Sequence, residues 1–397
     1  AIPMSVVFIV TTAYALAITR GIATDKRLAV FTRGASDANI MTMVWIFVLA
    51  GAFSASAQDM GAIDATVALA RNLLPADFLL AGLFLASCFV SISIGTSVGT
   101  VVTLVPIAAG LAPALGADLA LTVAVVTGGA FFGDNLSFIS DTTVVATRTQ
   151  ECRLDDKFKV NFRIVLPAAL LTLAFYTYLG FQNQAPAQAI PDYDLLKVMP
   201  YVAVLVMALC GMNVLFVLAI GNLLTGLVGL LDTDGFSVVS WFASMGKGIT
   251  SMGELIIISM IAGGLLELIR YNGGITYMMR AITRHVNGKR GAEFSIAALV
   301  GLANLCTANN TVAILSVGKL AKHIAERYGV DKRKSASVLD TVSCCVQGVL
   351  PYGAQLLMAA GLSGLSPVGI VPYLYYPMLV GLCTIASIAF RYPRKYS

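Results

Sequence analysis

The sequence predicts an all-α polytopic membrane protein built from two inverted-topology repeats, each containing broken helices and a re-entrant hairpin. Three observations carry that expectation. First, 58% of the 397 residues are hydrophobic and 12% are charged, for a mean hydropathy of +0.84, whereas a soluble globular domain carries about 25% charged residues. Second, residues 42–147 repeat themselves about 212 positions further along. Ala50-Gly51 falls on Ala262-Gly263, Gly61 on Gly274, Arg71 on Arg284, Thr96 and Thr100 on Thr307 and Thr311, Gly116-x-Asp118 on Gly329-x-Asp331, and Asp141 on Gln355. Third, equivalent loops of the two copies carry opposite charge bias.

Apolar runs occupy 2–19, 40–57, 78–94, 101–115, 119–133, 164–180, 195–210, 213–231, 254–269, 293–305, 309–325, 336–360 and 368–390. Most approach the ~20 residues a helix needs to cross a ~30 Å hydrocarbon layer. They lack the two-residue alternation of barrel strands, so helices are expected. The first run lacks a basic flank, which argues against a cleaved signal peptide. After 40–57, Asp59 and Asp64 flank an amphipathic stretch beside the membrane. Residues 181–199 read as a polar connector on the outer side, and Gly211-Met212-Asn213 as a tight turn between two helices. The expected division is a first repeat over 1–163, connecting helices and outer linker over 164–212, and a second, inverted repeat over 213–397.

Charge placement orients the chain. Five clusters hold 23 of the 26 basic residues: Arg20 to Arg33, Arg148 to Arg163, Arg270 to Arg290, Lys319 to Lys334, and Arg391 to Lys395. Threading the runs back and forth puts all five on one face, which the positive-inside rule makes cytoplasmic, together with the C-terminus. Loop 20–34 has four basic residues and its counterpart 232–247 has one; loop 148–163 has five and 361–367 none; loop 112–118 has none and 319–334 six. Opposite bias in equivalent loops is the mark of inversion. The net charge of +5 therefore reports orientation in a bilayer and gives no support to nucleic-acid binding. The seven cysteines read as packing residues without metal-ligand spacing. No phosphate-binding loop, HExxH or nucleophile elbow occurs, so neither an ATP-driven pump nor an enzyme is expected, and no cofactor.

Candidate chemistry lies where apolar segments are interrupted. Gly95-Thr-Ser-Val-Gly-Thr100 is echoed by Cys306-Thr-Ala-Asn-Asn-Thr311, placing Thr96, Ser97 and Thr100 beside Thr307, Asn309, Asn310 and Thr311. Gly133-Asp-Asn-Leu-Ser-Phe-Ile-Ser-Asp-Thr-Thr143, with Asp134, Asn135, Ser137, Ser140, Asp141 and Thr142, is echoed by the segment from Gln347 to Gln355. Glycine, proline and paired hydroxyls disfavour a continuous helix. Breaks inside a membrane persist only where protein or a wet cavity satisfies the freed backbone groups, which can then hold ions. Oxygen ligands suit a hard cation, so Na⁺ is expected at Asp134, Asp141, Thr96 and Asn310. A proton competes with it for the carboxylates. Glu254, Glu267 and Asp340 are expected to be satisfied by water or by Lys and Arg, and His285 and His323 to be solvated.

At GDNLSFISDTT (133–143) the chain resembles the NhaC family of sodium/proton antiporters, which typically carries a GDK-S-P-L-SDTT-like segment; GTSVGT, TANNT and QGVLPYGAQ are similar to other segments of that family. The resemblance spans nearly the whole chain. It implies membership of the larger ion-transporter group, with inverted repeats, re-entrant hairpins, and homodimers in which a transport domain moves on a fixed scaffold. By this resemblance Asp134, Ser137, Asp141 and Thr142 are ion-site residues. Asn135 and Phe138 depart from it, standing where many members have Lys and Pro. The expected function is sodium-coupled secondary transport in the inner membrane, with Na⁺ as the coupling ion and Na⁺/H⁺ antiport as the leading reaction. A Na⁺-coupled symporter or exchanger of a small organic solute is the alternative, and a channel comes after it.

Overall fold

A computed structural model describes residues 3–21, 23–182, 192–283 and 286–396. Arg284, His285 and the 183–191 part of the connector, about which the sequence made proposals, lie outside the described residues. Regular structure among those described is entirely helical. The first series is α1 (Met4–Ile18), α2 (Thr24–Ala35), α3 (Ala38–Asp59), α4 (Ala62–Leu73), α5 (Ala76–Ile94), α6 (Ser97–Leu115), α7 (Leu119–Leu136), α8 (Asp141–Gln150) and α9 (Leu154–Gln182). After α10 (Leu195–Leu209) comes a second series: α11 (Val214–Asp232), α12 (Val238–Ser251), α13 (Gly253–Tyr271), α14 (Gly274–Thr283), α15 (Gly288–Thr307) and α16 (Asn310–Tyr328). It closes with α17 (Lys332–Val349), α18 (Ala354–Ser363), α19 (Pro367–Ile370) and, past a 3₁₀ turn, α20 (Tyr375–Ala389).

Eight of these helices or broken helix pairs are long and apolar enough to cross a membrane, so the chain is a multi-pass membrane protein. α7 with α8, α12 with α13, and α17 with α18 each count as one such crossing. α5 and α6 have 19 residues apiece, and each qualifies alone. The apolar helices α1 and α10 reach only 15 residues, roughly 22 Å at 1.5 Å per residue. The Gly211 turn forms as expected: Gly211 takes φ +78°, and the Asn213 side chain caps α11 by accepting from the Leu215 amide.

Cap chemistry repeats from one series to the other. α6 and α16 both have 19 residues and stop at left-handed glycines, Gly116 and Gly329. Two residues later Asp118 and Asp331 open α7 and α17 by accepting from the amides of Ala120 and Arg333 at 2.7 and 2.8 Å. An N-cap aspartate satisfies one of the orphan amides at a helix start. These caps also correct the register drawn from sequence landmarks. Thr96 and Asn309 are the equivalent N-caps, so Thr96 lies on Asn309 and not on Thr307. α8 starts at Asp141 and α18 at Ala354, which puts Thr142, not Asp141, on Gln355. The left-handed residue before α4 is Gly61 and before α14 is Gly273, one position from the landmark pairing with Gly274.

Two stretches expected as loops, 20–34 and 232–247, contain α2 and most of α12. α2 packs on α13, and α12 on α3. Both crossings are glycine contacts: a Cβ on Gly34 would meet the Gly263 carbonyl, and one on Gly51 the Gly248 carbonyl. Small residues permit this backbone approach. The short helix after the second break of each series packs on the other series, α8 on α16 and α18 on α6. All four breaks thereby meet in the middle of the bundle.

Candidate ion site at the helix breaks

The first break follows Ile94. Gly95 adopts φ +75°, and Thr96 is extended before Ser97 opens α6. In the second series the left-handed position is Ala308, φ +48°, a conformation a Cβ makes costly. Asn309 follows as the cap, accepting from the Val312 amide at 3.0 Å. α7 and α8 are separated by residues 137–140, and α17 and α18 by residues 350–353, where Pro351 removes a backbone donor.

Asp134 is buried, 4% exposed, and its carboxylate faces the N-terminus of α6. The Ser97 amide donates to Oδ1 at 3.1 Å and the Ser97 hydroxyl to Oδ2 at 2.6 Å. Exposed amides and the helix dipole favour negative charge at such a position. A relay then crosses to the second series. Gln355 Nε2 donates to Ser97 Oγ at 2.9 Å, and Gln347 Nε2 donates to Gln355 Oε1 at 3.0 Å and to the Ala308 carbonyl at 2.9 Å. Gln347 Oε1 is buried with no hydrogen-bond partner, which leaves one acceptor free beside the relay.

A cavity of about 130 Å³ opens onto this relay. Of the residues proposed from sequence, Thr96, Ser97, Asp134, Ser140, Asp141, Thr142, Asn309, Asn310, Thr311, Gln347 and Gln355 line it. The two aspartates differ in setting: Asp134 is enclosed, whereas Asp141, the first residue of α8, is exposed at the rim. Ser140 and Thr142 hydroxyls are 2.8 Å apart on the same wall.

Four proposed residues lie off this cavity. Thr100 donates back to the Thr96 carbonyl at 3.2 Å, and Ser137 donates to the Ile92 carbonyl at 2.8 Å, tying the second break to α5. Asn135 donates to the Phe131 carbonyl and the Tyr376 hydroxyl. Thr307 donates to the Asn309 carbonyl at 3.0 Å and borders a second, larger cavity of about 350 Å³. This second space shares Met43, Ala308 and Asn309 with the first and runs to Arg33, Glu267 and Arg270. Glu267 pairs with Arg33 at 2.7 Å, as expected of a carboxylate near a helix end. His323 is exposed, as expected.

The sequence reading missed Lys157 and Asn161. Lys157 was counted among cytoplasmic loop charges, yet it is 0% exposed. Its ammonium donates to Asp340 Oδ2 at 2.8 Å, Thr143 Oγ1 at 2.7 Å and the Asn135 carbonyl at 3.0 Å. Asn161 donates to the same carbonyl at 2.9 Å and to Asp340 Oδ2 at 2.6 Å. Asp340 does find a lysine, but deep in the protein and not near water. An ammonium thus reaches the backbone of position 135, where many members of the resembled family have Lys, from α9. Lys334, also counted as a loop charge, is buried too and donates to Ser387 and the Tyr392 carbonyl. The available signal was local: Lys157 and Asn161 are four apart on one helix face, and Asp340 falls inside an apolar run.

Comparison with known proteins finds relatives over most of the chain. A family model described as the Na⁺/H⁺ antiporter family matches residues 2–181 and 190–393. The chain is 24% identical over 374 residues to the Na⁺/H⁺ antiporter NhaC of Bacillus subtilis (strain 168), covering 85% of this chain and 80% of that one. It is 23% identical to the malate-2H⁺/Na⁺-lactate antiporter of the same organism, over 78% and 73% of the two chains. Against the arginine/ornithine antiporter ArcD of Halobacterium salinarum it is 22% identical, over 87% and 78%.

Proposed function

The chain belongs to the Na⁺/H⁺ antiporter family, and from that premise we propose that it exchanges Na⁺ for H⁺ at the cavity between the helix breaks. The observation that carries the reading is Asp134: a buried carboxylate at the start of α6, joined through Ser97 to Gln355 and Gln347 of the other series. When Asp134 is protonated, the acid is neutral and needs no counter-ion. When it is ionised, Na⁺ supplies the positive charge, and the oxygens of Ser97, Thr142, Gln347 and Asn310 are at hand to replace water. One carboxylate that holds either a proton or Na⁺, and not both, couples the two fluxes. Asp141 at the rim gathers cations toward the cavity.

The inverted relation of the two series belongs to the same proposal. So do Na⁺ ligation at Asp134, Asp141, Thr96 and Asn310, a cytoplasmic C-terminus, and a homodimer with a moving transport domain. The basic bias supports the orientation even without Lys157 and Lys334. Reciprocal packing of α2 on α13 and α12 on α3 supports the internal two-fold. The larger cavity favours one second reading, because about 350 Å³ exceeds what a bare ion needs and reaches the range of small-molecule sites. A small carboxylate or amino acid exchanged with Na⁺ would use that space.

The test is a proteoliposome assay with a pH-sensitive dye inside and an acidic interior. Sodium added outside should alkalinise the lumen in wild type and fail to do so in Asp134→Asn and Asp141→Asn. Absence of proton movement from folded wild-type protein, with Na⁺-dependent uptake of a labelled carboxylate or amino acid in its place, would replace antiport with the second reading.

A further inference from the structure

Beneath the cavity lies a second polar cluster that the exchange reaction as described does not use. Lys157 on α9 and Asp340 on α17 are both 0% exposed and pair at 2.8 Å. Every donor is committed. The three ammonium hydrogens go to Asp340, Thr143 and the Asn135 carbonyl, and both hydrogens of Asn161 Nδ2 go to Asp340 and that same carbonyl. Acceptors are in surplus: Asp340 Oδ1 and Asn161 Oδ1, on two of the side chains that meet here, are buried without a partner. A cage with more oxygens than donors favours a cation, and the tethered ammonium occupies it.

This cluster is wired to the cavity through single atoms. Thr143, which accepts from Lys157, donates to the carbonyl of Asp134 at 3.3 Å, and Thr142 on the cavity wall donates to that carbonyl at 3.2 Å. Asn135, whose carbonyl Lys157 and Asn161 hold, follows Asp134 directly in the chain. The pair therefore acts on the carboxylate from behind, without touching a bound ion. In a water-poor interior a fixed charge at this range is felt strongly.

We propose that Lys157 and Asp340 are positioning residues whose opposite charges compensate, and that this compensation sets the affinity of the neighbouring cavity for Na⁺. The inference rests on the placement of Na⁺ at Asp134 proposed above. Its signature is a sign that a purely structural ion pair does not give. Removing the ammonium alone leaves an uncompensated anion behind the site, so Na⁺ binds more tightly. Removing the carboxylate alone leaves an uncompensated cation, so Na⁺ binds more weakly. Removing both restores the balance, and because no lone charge is then buried, the double variant should fold.

The experiment measures Na⁺ half-saturation of exchange in proteoliposomes at about pH 8.5, where few protons compete with Na⁺ for the site, for wild type, Lys157→Met, Asp340→Asn and the double variant. Half-saturation should fall by about threefold or more in Lys157→Met and rise by about threefold or more in Asp340→Asn, and the double variant should return to within about threefold of wild type. If Lys157→Met does not fold, Lys157→Gln removes the same charge while keeping a donor for Asn135 and Thr143, and the same fall is expected. Singles that shift half-saturation in the same direction, or not at all, would overturn the inference while a saturable wild type leaves the Na⁺ reading standing. A wild type with no Na⁺ response would overturn both.

Discussion

Ser97→Ala separates the contribution of the relay to ion binding from its contribution to the fold. The Ser97 hydroxyl makes two bonds: it donates to Asp134 Oδ2 at 2.6 Å and accepts from Gln355 Nε2 at 2.9 Å. Alanine keeps the backbone amide that donates to Oδ1, so the helix start survives. The first bond is charge-assisted only when Asp134 is ionised, which is the state that holds Na⁺. Its loss removes about 1.5–3 kcal/mol from that state, and at about 1.4 kcal/mol per tenfold this is roughly a 10- to 150-fold rise in Na⁺ half-saturation. The second loss leaves a buried amide donor unpaired, costing about 1–3 kcal/mol, but it weighs on both states and appears in stability. Exchange in proteoliposomes reads the first effect. The second is read by heating detergent-solubilised protein with a thiol-reactive fluorophore, because Cys88 and Cys344 are buried and react only on unfolding. Ser316→Ala is the control, since that hydroxyl bonds only within its own helix, to the Val312 carbonyl. A Ser97→Ala half-saturation within about threefold of wild type would refute the role given to this hydroxyl.

Three further perturbations test the packing and the surface. Gly133 precedes Asp134, and a Cβ there would run into the Ser91 side chain and backbone on α5; Gly133→Ala should lower stability by about 1–3 kcal/mol and impair exchange. Gly246 on α12 has nothing within 4 Å of such a Cβ, so Gly246→Ala should leave the thermal midpoint unchanged or raise it slightly, at about 0.5–1 kcal/mol of helix propensity. At the surface, a hydrogen bond from Lys322 and its charge hold the Glu151 carboxyl below the usual carboxylate range. A lowered carboxylate stabilises above its ordinary pKa, and the contribution disappears as pH falls through the shifted one. Glu151 is exposed and Lys322 half-exposed, so Lys322→Met should leave the midpoint at neutral pH unchanged within error while an NMR titration of Glu151 moves up.

The four helix breaks were legible because their causes are local. Gly95, the hydroxyls of residues 137–143 and Pro351 each disfavour helix by their own chemistry, and the repeat places a matching interruption in the other half. Asp134 and Gln355, both proposed from those breaks, line one cavity. Register was less legible, because matching letters is not matching roles. Thr96 was laid on Thr307 for identity, yet Asn309 holds the same position before its helix, and there its side chain caps while that of Thr96 does not. Lys157 was hidden for a different reason. A lysine at the edge of an apolar run can reach the interface or turn inward to a partner, and an asparagine one turn on is too common to decide between the two. Its partner Asp340 lies 183 residues away in the chain, on the other series. Read alone, each residue looks like a charge at a helix end that water satisfies. Read together with Asn161, one turn after Lys157, they have a reason to be inside: one amide donor and an ammonium on Asp340 make it possible to bury a carboxylate, which by itself would be too costly. Local propensity therefore locates where such a chain must break, but only the pairing of distant residues determines what stands behind the break.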